Sequence, residues 1–176
     1  MNYQIVVITK DPKRLAIAAH YFDLLEADGL ASTLFYDGSV KTRQEFIDLA
    51  SSSNILLGVV IDKCRNQPAG HFHLSNFSGQ TASFHFSILR AYHGGETLNI
   101  ARDTLHQVFD IRRPSGQALV TTLIGYTPVK NKLAIRLLKR VGFQKVYILP
   151  DACEDGLENF QDAVVSVFYP ALLEAI

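Results

Sequence analysis

The segment VTTLIGYTPVKNKLAIRLLKRVGF, residues 120–143, decides the fold of this chain. Its first residues, Val120 to Tyr126, are β-branched and apolar and suit a strand, which Thr127-Pro128 then breaks. Asn131 opens a helix in which Leu133, Ala134, Leu137, Leu138 and Val141 recur at helical spacing. Gly142 closes it, as a left-handed cap residue would. A strand fed directly into an amphipathic helix predicts a sheet with helices laid on its faces.

The segments on either side extend this pattern. Ile5 to Ile8 reads as a strand, and Asp11-Pro12 as the capped start of a helix with Leu15, Ala18, Ala19, Phe22 and Leu25 on its apolar face. Thr42 and Glu45 form a capping box before a second helix. Ile55 to Ile61 and Gly70 to Phe77 read as strands joined by a turn at Asn66-Gln67-Pro68. Thr81 to Leu89 alternates, with Phe84, Phe86 and Ile88 on one face and His85, Ser87 and Leu89 on the other. Gly94-Gly95 precedes a helix striped by Leu98, Ala101, Leu105 and Val108. Val146 to Leu149 and Ala163 to Tyr169 are final strands around a polar loop, Asp151 to Asn159. The order β-α-α-β-β-β-α-β-α-β-β predicts an α/β (α+β) domain spanning residues 1–176, its mixed, mostly antiparallel sheet of six to seven strands carrying helices on both faces.

The chain has 176 residues, 48% of them apolar and 19% charged, with no net charge. That composition suits one folded domain and gives no electrostatic drive toward nucleic acid or membrane. Between Ile111 and Pro150 there is no acid, while Lys130, Lys132, Arg136, Lys139 and Arg140 cluster there. They form either a solvated helix face or a basic rim for an anionic ligand. Cys64 and Cys153 are isolated thiols, which points to a reducing compartment. The start MNYQIVVITK has no basic leader or cleavage site, and no apolar run reaches spanning length, so a soluble cytoplasmic protein is expected.

Asn131, Ala134 and Gly142-Phe143, set directly after a strand, resemble the carboxyl-terminal motif of the GNAT superfamily of acetyl-CoA-dependent N-acetyltransferases. The element order is also similar to that family's. The resemblance implies transfer of an acetyl group from acetyl-CoA to a primary amine, small molecule or protein, by direct attack. It implies coenzyme A along Leu89, Arg90, His93, Gly94, Gly95, Glu96 and Thr97, with Lys130, Asn131 and Ala134 beside the pantetheine and phosphates. Backbone N–H groups near Leu89 and Arg90 are expected to polarise the thioester carbonyl. Many members dimerise, so a homodimer is compatible with the resemblance.

Three departures from the family pattern stand out. Ala91 replaces the family's loop Arg or Gln, Glu96 occupies a position for a small residue, and Leu138 replaces a tyrosine that serves as general acid. Glu96 is compatible with a phosphate neighbour only if its carboxylate turns outward or caps the helix. His85 is the first candidate for general base, since the family's acetyl group sits where the fourth and fifth strands separate, and Tyr126 is a substitute acid. His71, His73 and His85 share a face of paired strands without an acidic or thiol co-ligand, so no metal is expected. Half-buried histidines making ordinary hydrogen bonds are the plainer alternative. A non-catalytic acyl-CoA-binding protein, or one retaining only the fold, is the alternative to an enzyme.

Overall fold

The computed structural model describes residues 1–154 and 159–175. One seven-stranded sheet runs in the order β1-β2-β3-β4-β5-β7-β6. Its strands are β1 (Tyr3–Val7), β2 (Leu56–Asp62), β3 (Gln67–Ser78), β4 (Thr81–Ile88), β5 (Thr122–Pro128), β6 (Gln144–Glu154) and β7 (Phe160–Phe168). Every neighbouring pair is antiparallel except β4 with β5, which is parallel. The helices are α1 (Pro12–Ala27), α2 (Ala31–Leu34), α3 (Arg43–Ser51), α4 (Thr97–Phe109) and α5 (Lys132–Val141). Among the described residues, no helix is long and apolar enough to cross a membrane.

Both faces of the sheet are buried under helices. Tyr21, Phe22 and Leu25 of α1 and Phe46 of α3 pack with Leu57 and Val59 of β2. Ala101, Leu105 and Val108 of α4 and Val141 of α5 pack with Phe72, Leu74 and Phe84. The alternation in β3 and β4 sorts the residues: Phe72 pairs with Phe86 and Leu74 with Phe84, while His71 pairs with Ser87 and His73 with His85. The two edges of the sheet differ. β1 is covered by α4, whose Asp103 carboxylate accepts from the Asn2 and Tyr3 amides, and whose Gln107 accepts from Ile5 and donates to Tyr3. β6 is an open edge with Val146, Tyr147 and Ile148 exposed.

The helix starts follow the sequence. Asp11 accepts from the Lys13 and Arg14 amides, and Thr42 and Glu45 complete their reciprocal box. Asn131 Oδ1 accepts from the Ala134 amide at 3.1 Å, and Gly142 ends α5 at φ 97°, a conformation glycine adopts without penalty. Asn131→Ala should therefore cost about 1 kcal/mol in chemical denaturation. A loss below a few tenths of a kcal/mol would show the cap to be idle.

Several boundaries differ from the sequence reading. α2 was not expected, and Gln67-Pro68, read as turn, opens β3. β6 continues through Pro150 to Glu154, as an edge strand can because a missing N–H costs it no partner. Asp151–Glu154 of the expected polar loop are thus strand, and 155–158 lie outside the described residues. Leu133, one of the apolar residues at helical spacing in α5, is 75% exposed: only Val141 of that helix is fully buried, and its amino-terminal turn stands clear of the sheet.

Candidate active site

β4 and β5 pair only over Thr81–Thr122, Ala82–Leu123 and Ser83–Ile124. Beyond that, Phe84–Ile88 stay paired with β3 while Gly125–Pro128 pair with β7, so the two parallel strands part toward their carboxyl ends. α4 and α5 both start at that end, at Glu96 and Asn131. Unpaired first-turn amides and the positive ends of two helix dipoles therefore flank one mouth. Ligands of α/β sheets collect at such points.

On the helix side, the wedge behind the mouth is closed. Phe84, Phe86, Leu105, Leu137, Leu138 and Phe143 leave a cavity of about 20 Å³. Leu138 is therefore packing material in this chain.

The connection from β4 to α4 is a 3₁₀ turn, Arg90–Tyr92, followed by the two glycines. The His93 ring donates from Nε2 to the Ile88 carbonyl at 3.0 Å, and the Thr97 hydroxyl donates to the Tyr92 carbonyl at 3.0 Å. Both side chains brace the loop instead of projecting from it. Gly94 lies at φ 101° with no atom within 4 Å of the place a Cβ would take, so it leaves the backbone both left-handed and uncovered. Among the described residues, the amides of Gly94, Gly95 and Glu96 have no hydrogen-bond acceptor. A diphosphate fits such a row of donors.

Two expected donors are not available. The Leu89 amide donates to Ala69 O at 2.9 Å and the Arg90 amide to Asp28 Oδ2 at 2.6 Å. Arg90 Nε also donates to Asp28 O, at 2.7 Å, so this arginine ties the loop to the end of α1. The expectation that these two amides polarise a carbonyl does not match the geometry. Glu96 turns outward, and its carboxylate is held by Arg65 and Tyr3. Lys130 and Asn131 are exposed at the opposite side of the mouth, with Ala134 half-buried behind them. No ion pair to Lys130, Lys132 or Arg136 occurs among the described residues.

The other face of the sheet carries a buried polar chain. Ser87 Oγ lies 2.7 Å from Tyr21 OH, which lies 3.0 Å from His71 Nδ1; His71 Nε2 is 3.5 Å from His73 Nδ1. The His73 ring stacks on His85 with centroids 4.2 Å apart. Burial pushes the Tyr21 phenol up, so it remains a donor, and pushes His71 from its ordinary 6.5 down to about 3. His73 falls well below its ordinary value through burial and then its imidazole neighbours, and burial also lowers His85, with the charge of Asp37 opposing. At neutral pH all three rings are neutral, and His85 can accept a proton.

By parity, His85 and Tyr126 lie on the same face of the two parting strands: each is two residues beyond the last paired position, Ser83 with Ile124. Tyr126 is 41% exposed. A cavity of about 570 Å³ opens between the end of α1 and the segment leading to α3, lined by Glu26, Tyr36, Asp37 and Lys41 among others. Phe35, which also lines it, packs on Phe46, and Phe46 on His71, so this cavity lies on the histidine side of the sheet. Arg65, Tyr3 and Tyr21 were not identified from sequence. Their partners lie tens of residues away, and no local pattern marks them.

No protein-family model matches this chain, and no curated protein matches it in sequence. Solved structures match it in fold. The spermidine N-acetyltransferase from Vibrio cholerae in complex with CoA and spermine superposes with a TM-score of 0.68 at 14% identity, covering 98% of this chain and 98% of that one. An acetyltransferase of the GNAT family from Bacillus anthracis gives 0.69 at 15%, covering 96% and 95%. The ribosomal-protein-S5-alanine acetyltransferase from Vibrio fischeri gives 0.68 at 15%, covering 96% and 93%.

Proposed function

We propose, from a chain that has the GNAT fold, that this protein is an N-acetyltransferase moving an acetyl group from acetyl-CoA to a primary amine within a ternary complex. The observation that carries this reading is the mouth itself: parallel strands parting after Ser83 and Ile124, with unpartnered amides at Gly94, Gly95 and Glu96 on one side. Those amides, with Lys130 across the mouth, would hold the diphosphate of coenzyme A, and Asn131 and Ala134 would border the pantetheine. When bound, the cofactor supplies an acyl group activated as a thioester.

The protein's part is orientation and one proton. The amine approaches from the cavity beside Asp37, on the face where His85 lies. His85, kept neutral by burial, takes the amine proton directly or through water. Tyr126, on the same face, would give a proton to the departing sulfur and recover one from His85, so that one proton passes net from nitrogen to sulfur. Holding both reactants in one gap supplies much of the acceleration. The fold leaves the acceptor open, since its solved relatives include one named for a polyamine and another for a ribosomal protein.

Two observations favour a second reading, an acyl-CoA-binding protein without turnover. Leu138 fills the place of the family's acid, and the Leu89 and Arg90 amides are already engaged. Calorimetry with coenzyme A, then thiol release over a panel of amines, separates the two readings. We expect binding and release, and His85→Gln should lower kcat about 100-fold with unchanged CoA affinity. Binding without thiol release from any amine supports the second reading; absence of binding removes both.

A further inference from the structure

The departure at Glu96 has a structural answer in this chain. A carboxylate at the start of α4 sits next to the amides that would receive an anion. Two unit charges roughly 6 Å apart in a half-exposed site interact strongly enough to change a binding constant about tenfold. Glu96 does not cap its own helix; it is the N-cap residue without a side-chain bond to the first turn. Its carboxylate is instead gripped from outside. Arg65 Nη1 and Nη2 lie 3.3 Å from Oε2 and Oε1 respectively, and Tyr3 OH donates to Oε2 at 2.8 Å.

The grip is itself supported. Arg65 stands in the turn between β2 and β3, where Asp62 Oδ1 accepts from the amides of Cys64 and Arg65. Asp62 Oδ2 lies 3.4 Å from the Arg65 guanidinium, whose centre sits 5.0 Å from the Tyr92 ring centroid. Tyr92 is buried in the turn that presents the glycines and meets Tyr3 edge-on at 6.4 Å. Burial and the nearby carboxylate push the Tyr3 phenol up, so it stays a donor. Two segments far apart in sequence, β1 and the β2–β3 turn, thus converge on one carboxylate. As a stabilising ion pair the arrangement is weak, because both partners are about half exposed. Its position relative to the uncovered amides is what gives it consequence.

We propose that Arg65, with Tyr3, is a positioning clamp that neutralises Glu96 and turns it from the glycine-led amides, making them fit for an organic diphosphate. The inference rests on the coenzyme A reading above.

The test is calorimetric affinity for coenzyme A, with protein at low ionic strength, in the wild type, Arg65→Gln, Glu96→Gln and the double variant. Arg65→Gln should weaken binding about tenfold, and Glu96→Gln should bind at least as tightly as the wild type. The double variant should return to within about twofold of Glu96→Gln, because the charge that the clamp masks is gone. Tyr3→Phe, which keeps the ring in the core, should weaken binding about threefold and serves if Arg65→Gln folds poorly. Wild-type affinity in both Arg65→Gln and Tyr3→Phe overturns the clamp while leaving the coenzyme A reading intact. A double variant as weak as Arg65→Gln also overturns it, because Arg65 would then act on the ligand and not on Glu96. A wild type that binds no coenzyme A overturns the reading of the site, and the clamp with it.

Discussion

Gly70→Ala is expected to destabilise the protein by about 3 kcal/mol and to disturb the mouth as well as the sheet. A Cβ on Gly70 would stand 2.4 Å from the Ser87 carbonyl oxygen and 3.3 Å from Ile88 Cα. Both are backbone atoms of β4, so no rotamer change relieves the clash; β3 and β4 must separate. They would separate where β4 hands over to the loop, at the Gly70–Ile88 pair next to the bond from the Leu89 amide to Ala69. Gly58 is the informative comparison. A Cβ there would also meet an atom at 2.4 Å, but that atom is Cε1 of the Phe72 ring. A smaller partner can relieve that contact, so Gly58→Ala combined with Phe72→Leu should recover much of what Gly58→Ala loses. No side-chain trimming will recover Gly70→Ala. Urea denaturation of these variants decides the matter, and a Gly70→Ala loss under 1 kcal/mol would mean the strands yield more readily than a close-packed sheet should.

The fold was legible wherever a periodic pattern met a local stop signal. The alternation of Phe84, Phe86 and Ile88 against His85 and Ser87 placed both faces of β4 correctly, because a strand surrounded by two cores has its side chains sorted by parity. Asp11, Thr42, Asn131 and Gly142 marked helix ends because caps act within a few residues. The reading failed where burial depends on distant segments. Leu133 has the spacing of a core residue, yet α5 buries only its last turn fully, and nothing within the helix sequence reveals where it leaves the sheet. The same limit applies to the site. The Gly94-Gly95 loop and His85 could be singled out from local pattern and resemblance. The Asp28 contact that occupies the Arg90 amide, and the Arg65 fork on Glu96, join residues 62 and 31 positions apart. From its type alone, Glu96 suited a phosphate neighbour only if its carboxylate turned outward or capped the helix; which of these it does is set by the hairpin and by β1.

Lowering the pH from 7.5 to 5 is expected to remove about 2 kcal/mol of stability through His71 alone, with His73 and His85 adding in the same direction. Burial lowers the folded-state value of His71 from 6.5 to about 3. Above 6.5, neither folded nor unfolded protein protonates this ring, and its contribution is fully present. Below 6.5 the unfolded chain binds a proton that the folded core refuses, so stability falls by about 1.4 kcal/mol for each pH unit until the folded value is reached. The groups around the ring do not compensate. Tyr21 and Ser87 are neutral, His73 and His85 repel a second positive charge, and the charge of Asp37 is felt at His85. Glu45, whose carboxyl is held below its ordinary value mainly by the Lys41 amide, loses its contribution only in more acid solution. Restricting the measurement to pH 5 and above therefore isolates the imidazoles. Urea unfolding at several pH values should give a slope that His71→Gln reduces by about 1.4 kcal/mol per pH unit, whatever that variant costs at pH 7.5. A wild-type stability that is flat between pH 7.5 and 5 would mean the buried rings find a route to protonation without unfolding. In that case the neutrality of His85, on which its role as a base depends, would lose its physical support.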